Sequence, residues 1–428
     1  MFLHWEWLRN NLDDPVEAKS FAAVKIAVNE DVLTRVYDRS AEGERDAINI
    51  ALYPLALAIA ENWWRLLYEP RKSEEESGAA ELRHSLDSWM NGFVFPAVTL
   101  WSGGDDVIII EQPKIRPQHS NLEFLPSDIS GTNLPRPDVE ENLFELVQAV
   151  LGRISKNDSA ALEAAWKRVL ESLSDIDEKR YCEAAGRLGV DPYDPDSEDI
   201  SQFAQKLSDR LFANICEAAR LTELSEAIEW AKEGVRRLSE FPDIDIAHFG
   251  EMPTRNIRSK IWDHGYEAAR IVRRNLHLDG LNPRRVVDQI FGAAVAAEGI
   301  AGKHPFALEA IANRRDGRIR VVVPRTTARQ RRFKLCRASY LAWRYVEGES
   351  SAVTTASTLD QQASRAFAAE LLAPEELLRE IAGSDGLTAE KIDAFAEESV
   401  CPEAAIIWQA YNHGIPLRGV ALPRANST

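Results

Sequence analysis

The chain has 428 residues, of which 45% are hydrophobic, and its 51 Lys and Arg against 68 Asp and Glu give a formal net charge of −17. This length allows two or three domains that each bury a core of their own. The acidity argues against nucleic-acid binding by the chain as a whole.

Neither a membrane span nor a secretory leader is expected. The longest apolar run, residues 47–60, is too short to cross a bilayer. The first residues have no basic region followed by an apolar one. The four cysteines lie far apart without C-x-x-C spacing, which favours reduced thiols over a disulfide or zinc-ribbon framework. We therefore expect a cytoplasmic protein without a membrane partner.

Residues 1–125 are predicted to form a mixed α+β domain. Two β-rich runs within residues 21–38 are separated by Asn29-Glu30-Asp31, which predicts a hairpin. The strongly apolar stretch 45–68 predicts a helix, and "FVFPAVTLW", "DVIIIEQ" and "SNLEFL" predict strands. The six tryptophans in this region are more typical of a core than of a ligand site.

The middle of the chain is predicted to contain a linker and an acidic helical domain. Residues 126–139 are rich in Pro, Ser, Gly and Asp, which is typical of a linker. Residues 140–250 follow with helical apolar spacing, as in Leu143, Leu146 and Val150. Lys and Arg minus Asp and Glu give −21 for residues 1–250 and +4 for residues 251–428.

The last part, residues 251–428, has a regular order of predicted elements. Two helices, the second opened by Pro283, precede two strands joined at Arg315-Asp316-Gly317. The helix "RRFKLCRASYLAWRYV" follows, then a loop rich in Ser and Thr, then "DQQASRAFAAELLAPEELLREI" with a break at Pro374. The whole chain is thus predicted to be α+β and mostly helical.

This order and the local sequence resemble the ImmA/IrrE family of zinc metallopeptidase-like proteins over about residues 253–417. In the family, "RFTLAHELGH" supplies two histidine ligands and a glutamate base, and a segment similar to "EANRFAAELLMP" supplies a third ligand. The corresponding segments here are "RRFKLCRASYL" and "QASRAFAAELLAP". The resemblance implies a zincin-like domain of helices with a small hairpin or sheet.

The four positions that the resemblance assigns to the zinc site lack the expected chemistry. Arg337 and Leu341 stand at the two histidine positions, Ala338 at the glutamate base and Gln362 at the third ligand. A protonated guanidinium cannot donate to zinc, and a leucine has no donor atom. Without a metal or a base, no water would be activated. We therefore expect a pseudo-active site with no catalytic residue, no metal and no cofactor.

A buried arginine needs a partner, because an uncompensated buried charge is costly. By analogy with the third-ligand segment, the nearest candidates to pair with Arg337 are Asp360 and Glu370. The alternative is a zinc site rebuilt from other donors of the domain. Those donors are His304, His413, Asp360 and Cys336.

A basic run interrupts the acidic chain between residues 311 and 337, with nine Arg and one Lys against one Asp. Such a run is either a solvated strand-and-loop face or a surface for an acidic partner or a phosphate backbone. We predict one contiguous positive face. Its candidate residues are Arg314, Arg315, Arg318, Arg320, Arg325, Arg329, Arg331 and Arg332.

Three functions remain open at this point. The resemblance favours a non-catalytic regulatory or binding protein with a protein or peptide partner, in a bacterial stress, mobile-element or phage-defence response. The second is a metallopeptidase with relocated ligands or another hydrolase in residues 1–125. The third is a regulator that contacts DNA through the arginine-rich hairpin, which the net charge disfavours.

Overall fold

The computed structural model describes residues 1–72, 77–112, 121–125, 127, 129–154, 158–194, 200, 207–257, 259–278, 282–302 and 304–423. The chain divides into two compact units, Met1–Ile200 and Ser201–Thr428. Helices outnumber strands and every named sheet is small, so the predicted α+β, mostly helical fold class is confirmed. Within the described part of the chain, no helix has the length and apolar character needed to span a bilayer.

In the described part of the first unit, the strands form three small antiparallel sheets. In the largest, β2 is paired with β1 along one edge and with β3 and β6 along the other, so the predicted hairpin at residues 29–31 is confirmed. The second sheet has the order β10-β8-β7 and the third β5-β4-β9. The strands are β1 (Phe2–Trp7), β2 (Phe21–Val28), β3 (Asp31–Val32), β4 (Val36–Asp38), β5 (Gly43–Arg45), β6 (Ile48–Ala51), β7 (Thr99–Ser102), β8 (Val107–Glu111), β9 (Leu122–Phe124) and β10 (Ser130–Pro135).

A buried helix organises the core of the first unit. The helices are α1 (Pro15–Lys19), α2 (Tyr53–Tyr68), α3 (Ser77–His84), α4 (Arg136–Arg153), α5 (Ala160–Ser174) and α6 (Ile176–Leu188). α2 packs against α4, α5 and α6, with the Trp63 and Trp166 rings edge to face at 5.2 Å. A Cβ on Gly186 would collide with the Trp64 carbonyl, so α6 can lie this close to α2 only with a glycine there.

The second unit contains one four-stranded antiparallel sheet with the order β11-β13-β12-β14. Its strands are β11 (Ile244–Asp245), β12 (Leu308–Arg315), β13 (Arg318–Val322) and β14 (Ser350–Thr354). Its helices are α7 (Asp209–Ala218), α8 (Leu224–Arg237), α9 (Ile261–Asn275), α10 (Pro283–Phe291), α11 (Ala328–Arg344), α12 (Leu359–Leu372), α13 (Glu375–Ala382), α14 (Ala389–Ser399) and α15 (Glu403–Asn412).

Helix α11 lies between the sheet and α12 in the second unit. It contacts β12, β13 and β14 as well as α12, and α12 in turn packs closely on α9 and α15. This position explains why α11 is buried from Arg332 to Trp343 without interruption. A helix enclosed by other elements cannot have a solvated face, so its polar side chains must find partners inside the protein.

Two of the expected domain limits differ from the structure. The predicted linker 126–139 contains β10, which pairs with β8, and the start of α4. Residues 140–250 do not form a separate acidic domain, because α4 to α6 belong to the first unit and α7 and α8 to the second. The reason is packing: the apolar faces of α5 and α6 are buried against α2, whereas α7 packs on β14.

Candidate functional site

Arg337 is the centre of a buried polar cluster in the second unit. Its side chain has no solvent exposure. Its Nη1 donates to the Glu309 carboxylate and its Nε to Ser364 Oγ at 3.2 Å. Its Nη2 donates to the Thr354 carbonyl at 2.8 Å and to Gln361 Oε1 at 2.9 Å. The guanidinium thus joins α11 to β12, β14 and α12 at one point.

The carboxylate that pairs with Arg337 comes from a bulge in β12. The pairing of β12 with β14 shifts between Leu308 and Ala310, which leaves Glu309 as the extra residue opposite Thr354. In a regular strand Glu309 would point to the same side of the sheet as Ile311. Ile311 instead packs against Gly234 of α8, while Glu309 meets α11. The bulge therefore turns Glu309 toward the arginine.

Helix α12 supplies two neutral partners of Arg337, Gln361 and Ser364, which lie about one helical turn apart. Gln361 is fully buried, and besides accepting from Arg337 it accepts from Thr354 N at 3.1 Å and donates to the Ala352 carbonyl at 2.8 Å. Gln362, which the resemblance assigns to the third ligand, instead donates to the Ser357 carbonyl at 2.7 Å. The structure therefore brings Arg337 together with Gln361 and not with Gln362.

The other two positions that the resemblance assigns to the zinc site contribute only packing. Ala338 and Leu341 are fully buried on α11. Leu341 lies about one turn after Arg337, on a similar face of the helix. Neither residue offers a side-chain donor to a metal or accepts a proton. At the positions matched to the motif, the chemistry of the residues does not fit a zinc ion.

The cluster holds more positive than negative side chains. Lys334, one turn before Arg337, is buried with its Nζ at 3.9 Å from Glu309 Oε1. Burial lowers the pKa of Lys334. The negative charge of Glu309 raises this pKa, whereas the positive charge of Arg337 lowers it further. Arg365 donates to the carbonyls of Thr354 and Ala356. Glu309 alone does not balance the positive charges of the cluster. The backbone carbonyls that accept hydrogen bonds from Arg337 and Arg365 stabilise the excess positive charge.

The expectation that Asp360 or Glu370 pairs with Arg337 is wrong for both residues. The Asp360 carboxylate is 3.2 Å from Arg255 Nη1 and 3.8 Å from Arg344 Nε. Asp360 precedes Gln361 on α12 and therefore lies about 100° around the helix from it. The sequence suggested these acids because they flank the third-ligand segment, but the partner comes from β12.

Glu370 belongs to a second polar cluster near the end of α12. Its carboxylate accepts from Arg270 Nε at 2.9 Å and from Gln409 Nε2. His413 Nδ1 is 3.1 Å from a Glu375 oxygen, and the same Glu375 oxygen accepts from Arg270 Nη2 at 2.8 Å. Arg270 contacts both the Glu370 and the Glu375 carboxylate, which argues against a metal ion between them.

The residues proposed as donors for a relocated metal site are not arranged around a common point. Burial raises the pKa of the Cys336 thiol, which disfavours the thiolate that metals bind. His304 lies in the loop before β12, with its ring 6.4 Å from that of Trp230. Across the described residues, no group of three or more His, Cys, Asp or Glu is placed to hold a metal ion.

The arginine-rich run does not form the single free positive face that was predicted. Arg320 pairs with Asp243 at 2.6 Å, and Arg318 lies 3.9 Å from the same carboxylate. Arg329 pairs with Glu403, and Arg332 is buried against Asp288. Half of the candidate arginines are thus paired with acids of the same unit.

The other four arginines of the run form no ion pair among the described residues. Arg315 and Arg325 are exposed, whereas Arg314 and Arg331 are half-buried. Arg331 donates to the Val295 carbonyl at 3.5 Å. Opposite Arg315 in the hairpin is Arg318, which is one of the paired residues. Paired arginines therefore separate the arginines of the run that form no ion pair, so their positive charge is not continuous along the run.

Residue types alone did not identify Glu309, Thr354, Ser364 and Gln361 as members of the site. Glu309 stands in an apolar strand sequence, and nothing in "ALEAIANRR" marks a bulge. The spacing of Gln361 and Ser364 in an alanine-rich helix was the available signal, because polar residues three apart share a helix face. Comparison of the chain with family models, curated proteins and solved structures finds no match.

Proposed function

We propose that the second unit is a degenerate metallopeptidase-like domain that binds or regulates a protein partner without catalysis. The observation that carries the proposal is the buried guanidinium of Arg337, fixed by four acceptors at the position that the resemblance assigns to the first zinc ligand. In this proposal the Arg337 guanidinium takes the structural role of a metal ion. It joins α11, which carries the motif segment, to α12, which carries the third-ligand segment.

The alternative of a metallopeptidase with relocated ligands has less support. Cys336 is a buried thiol, and Asp360 already interacts with two arginines. His413 lies against Glu375, which also pairs with Arg270. Asp360 and His413 would each have to leave present partners before they could bind a metal.

A role in DNA binding has less support as well. The Asp243 carboxylate pairs with Arg320 and lies near Arg318, so it offsets part of the positive charge of the hairpin. An interface with a phosphate backbone requires several unpaired basic side chains on one surface. The proposal is therefore a protein or peptide partner in a regulatory response.

The test is affinity purification of the full chain from its own host, followed by mass spectrometry of the partner. We expect a protein that is recovered in stoichiometric amount and remains intact on incubation with added zinc. Recovery of defined cleavage products that depend on zinc and disappear with a chelator would replace this proposal by a peptidase. The same incubation with a mock purification from host cells that lack the chain is the control for contaminating proteases.

A further inference from the structure

The first unit contains a cavity of about 360 Å³ on a face of α2, away from the elements discussed above. Tyr53, Leu57 and Glu61, about one turn apart, contribute from the exposed side of this helix. Asp14 and Glu17 contribute from α1, and Trp89 from the turn after α3. Tyr53, Leu57 and Trp89 each pack one side on the core. The cavity therefore has an apolar floor, two aromatic walls and an acidic rim.

The two helices beside the cavity are linked by hydrogen bonds. Asp14 Oδ1 caps α1 by accepting from the amides of Val16 at 2.7 Å and Glu17 at 3.0 Å. Buried Ser20 then fixes the start of α2, because its Oγ accepts from Tyr53 N at 3.2 Å. The two helices that carry the rim are thus anchored to each other through one serine.

The electrostatic character of the cavity is negative. Within the described residues, none of the three rim carboxylates, Asp14, Glu17 and Glu61, forms an ion pair. Burial raises the pKa of the Tyr53 hydroxyl, and the charges of Glu61 and Asp14 raise it further. The start of α2 would attract an anion only through free amide groups. The amide of Tyr53 is already bonded to Ser20, and Pro54 has none.

We propose that this cavity binds a small organic cation with an alkylated ammonium group. Aromatic rings attract such cations through the quadrupole of the ring, and both Trp89 and Tyr53 line the cavity. Carboxylates on the rim add a long-range attraction, while Leu57 and its neighbours receive the alkyl substituents. A bare metal ion is disfavoured because it needs convergent oxygen ligands, and no such group lies in the described residues.

The test compares two ligands of nearly equal shape by NMR titration of the full chain. Choline carries a trimethylammonium group, and 3,3-dimethylbutan-1-ol replaces it by a neutral tert-butyl group. We expect choline to bind about threefold to thirtyfold more tightly, which is the range of a cation–aromatic contact. Equal binding of the two compounds, no binding of choline, or displacement of choline by Mg²⁺ at constant ionic strength would overturn the proposal.

Variants at the cavity separate its charge from its aromatic walls. Glu17→Gln combined with Glu61→Gln, and separately Trp89→Leu, should each weaken choline binding severalfold. Glu141→Gln, an exposed acid on α4, should leave binding unchanged and controls for net charge. Circular dichroism of each variant checks its fold, and Trp89→Met, which is also non-aromatic, serves if Trp89→Leu fails to fold. Unchanged choline affinity in a folded Glu17 and Glu61 double variant and in a folded Trp89 variant would also overturn the proposal.

Discussion

Glu309 at the bulge of β12 and Arg337 in the middle of α11 form a buried ion pair. The arginine is completely enclosed, and the glutamate side chain is 12% exposed. Removing both charges from water is costly, and the four acceptors around the guanidinium offset that loss. The pair explains how α11 can place an arginine at a position that is completely enclosed by the protein.

Breaking this pair should destabilise the second unit strongly. We expect Glu309→Gln to lower the free energy of unfolding by about 3 to 5 kcal/mol, because it leaves Arg337 buried without a countercharge. Urea denaturation measures the change. The control is Asp243→Asn, which removes the partner of Arg320 in a solvent-exposed pair and should have a much smaller effect. Similar losses from both variants would mean that the buried pair has no special role.

Two adjacent glutamines should differ in importance. Gln361→Ala removes contacts to Arg337, Thr354 and Ala352 and should cost about 1 to 3 kcal/mol, since it leaves buried polar groups unsatisfied. Gln362→Ala removes one contact to a carbonyl from a half-buried position and should cost less. Thermal melts of the two variants provide the comparison. If Gln362→Ala is the more damaging change, the assignment of Gln361 to the cluster is incorrect.

In the first unit, two helical glycines should respond in opposite directions to substitution by alanine. Gly186→Ala places a methyl group against the Trp64 carbonyl and should destabilise the unit by about 1 to 3 kcal/mol. Gly152→Ala on α4 meets open space and should be neutral or stabilising by about 0.5 to 1 kcal/mol. Calorimetry of both variants tests this difference. Equal tolerance would show that α2 and α6 are not closely packed.

Acid should weaken the second unit partly through His264. Its Nε2 donates to the Pro253 carbonyl at 3.0 Å, and its Nδ1 accepts from the Tyr340 hydroxyl at 2.9 Å. Burial lowers the pKa of His264 below its ordinary value of about 6.5, so the unfolded chain binds the proton more tightly. This contribution to stability is therefore present above about pH 6.5 and is lost as the pH falls toward the folded pKa.

The measurement is the dependence of the unfolding free energy on pH for the wild type and for His264→Gln. The glutamine keeps a donor and an acceptor but does not titrate, so the loss of stability below about pH 6.5 should become less steep. Identical pH profiles for the two proteins would exclude His264 as a source of acid sensitivity. An NMR titration of His264 gives its pKa directly.

Local patterns predicted much of the fold, especially where one chain segment determines its own structure. The hairpin at residues 29–31, the turn at 315–317 and the break at Pro374 all occur as expected. The helical stretch 45–68 was only partly correct, because residues 48–51 pair with β2 as the strand β6. An apolar run fits a buried strand as well as a buried helix, so the element beside it determines which of the two forms.

The candidate site was harder to predict because it depends on contacts between distant segments. The loop rich in Ser and Thr contains β14, and the Thr354 carbonyl of that strand is one of the acceptors of Arg337. Its pairing with β12 creates the bulge that turns Glu309. Composition indicates neither the pairing nor the bulge. The sequence therefore suggested that Arg337 needs a carboxylate, but not which one.

We propose that Arg337 takes the structural place of a metal in the second unit, and the zinc content of the purified full chain tests this proposal. The measurement is inductively coupled plasma mass spectrometry after exposure to zinc and exhaustive dialysis. A variant carrying Arg337→His, Ala338→Glu, Leu341→His and Gln361→Glu, in which the last change is placed at the glutamine that contacts Arg337, is measured in parallel to show that the method detects zinc at an introduced donor set. For the wild type we expect far less than one zinc per chain. Retention of about one zinc per wild-type chain, at the affinity typical of structural or catalytic sites, would contradict the account.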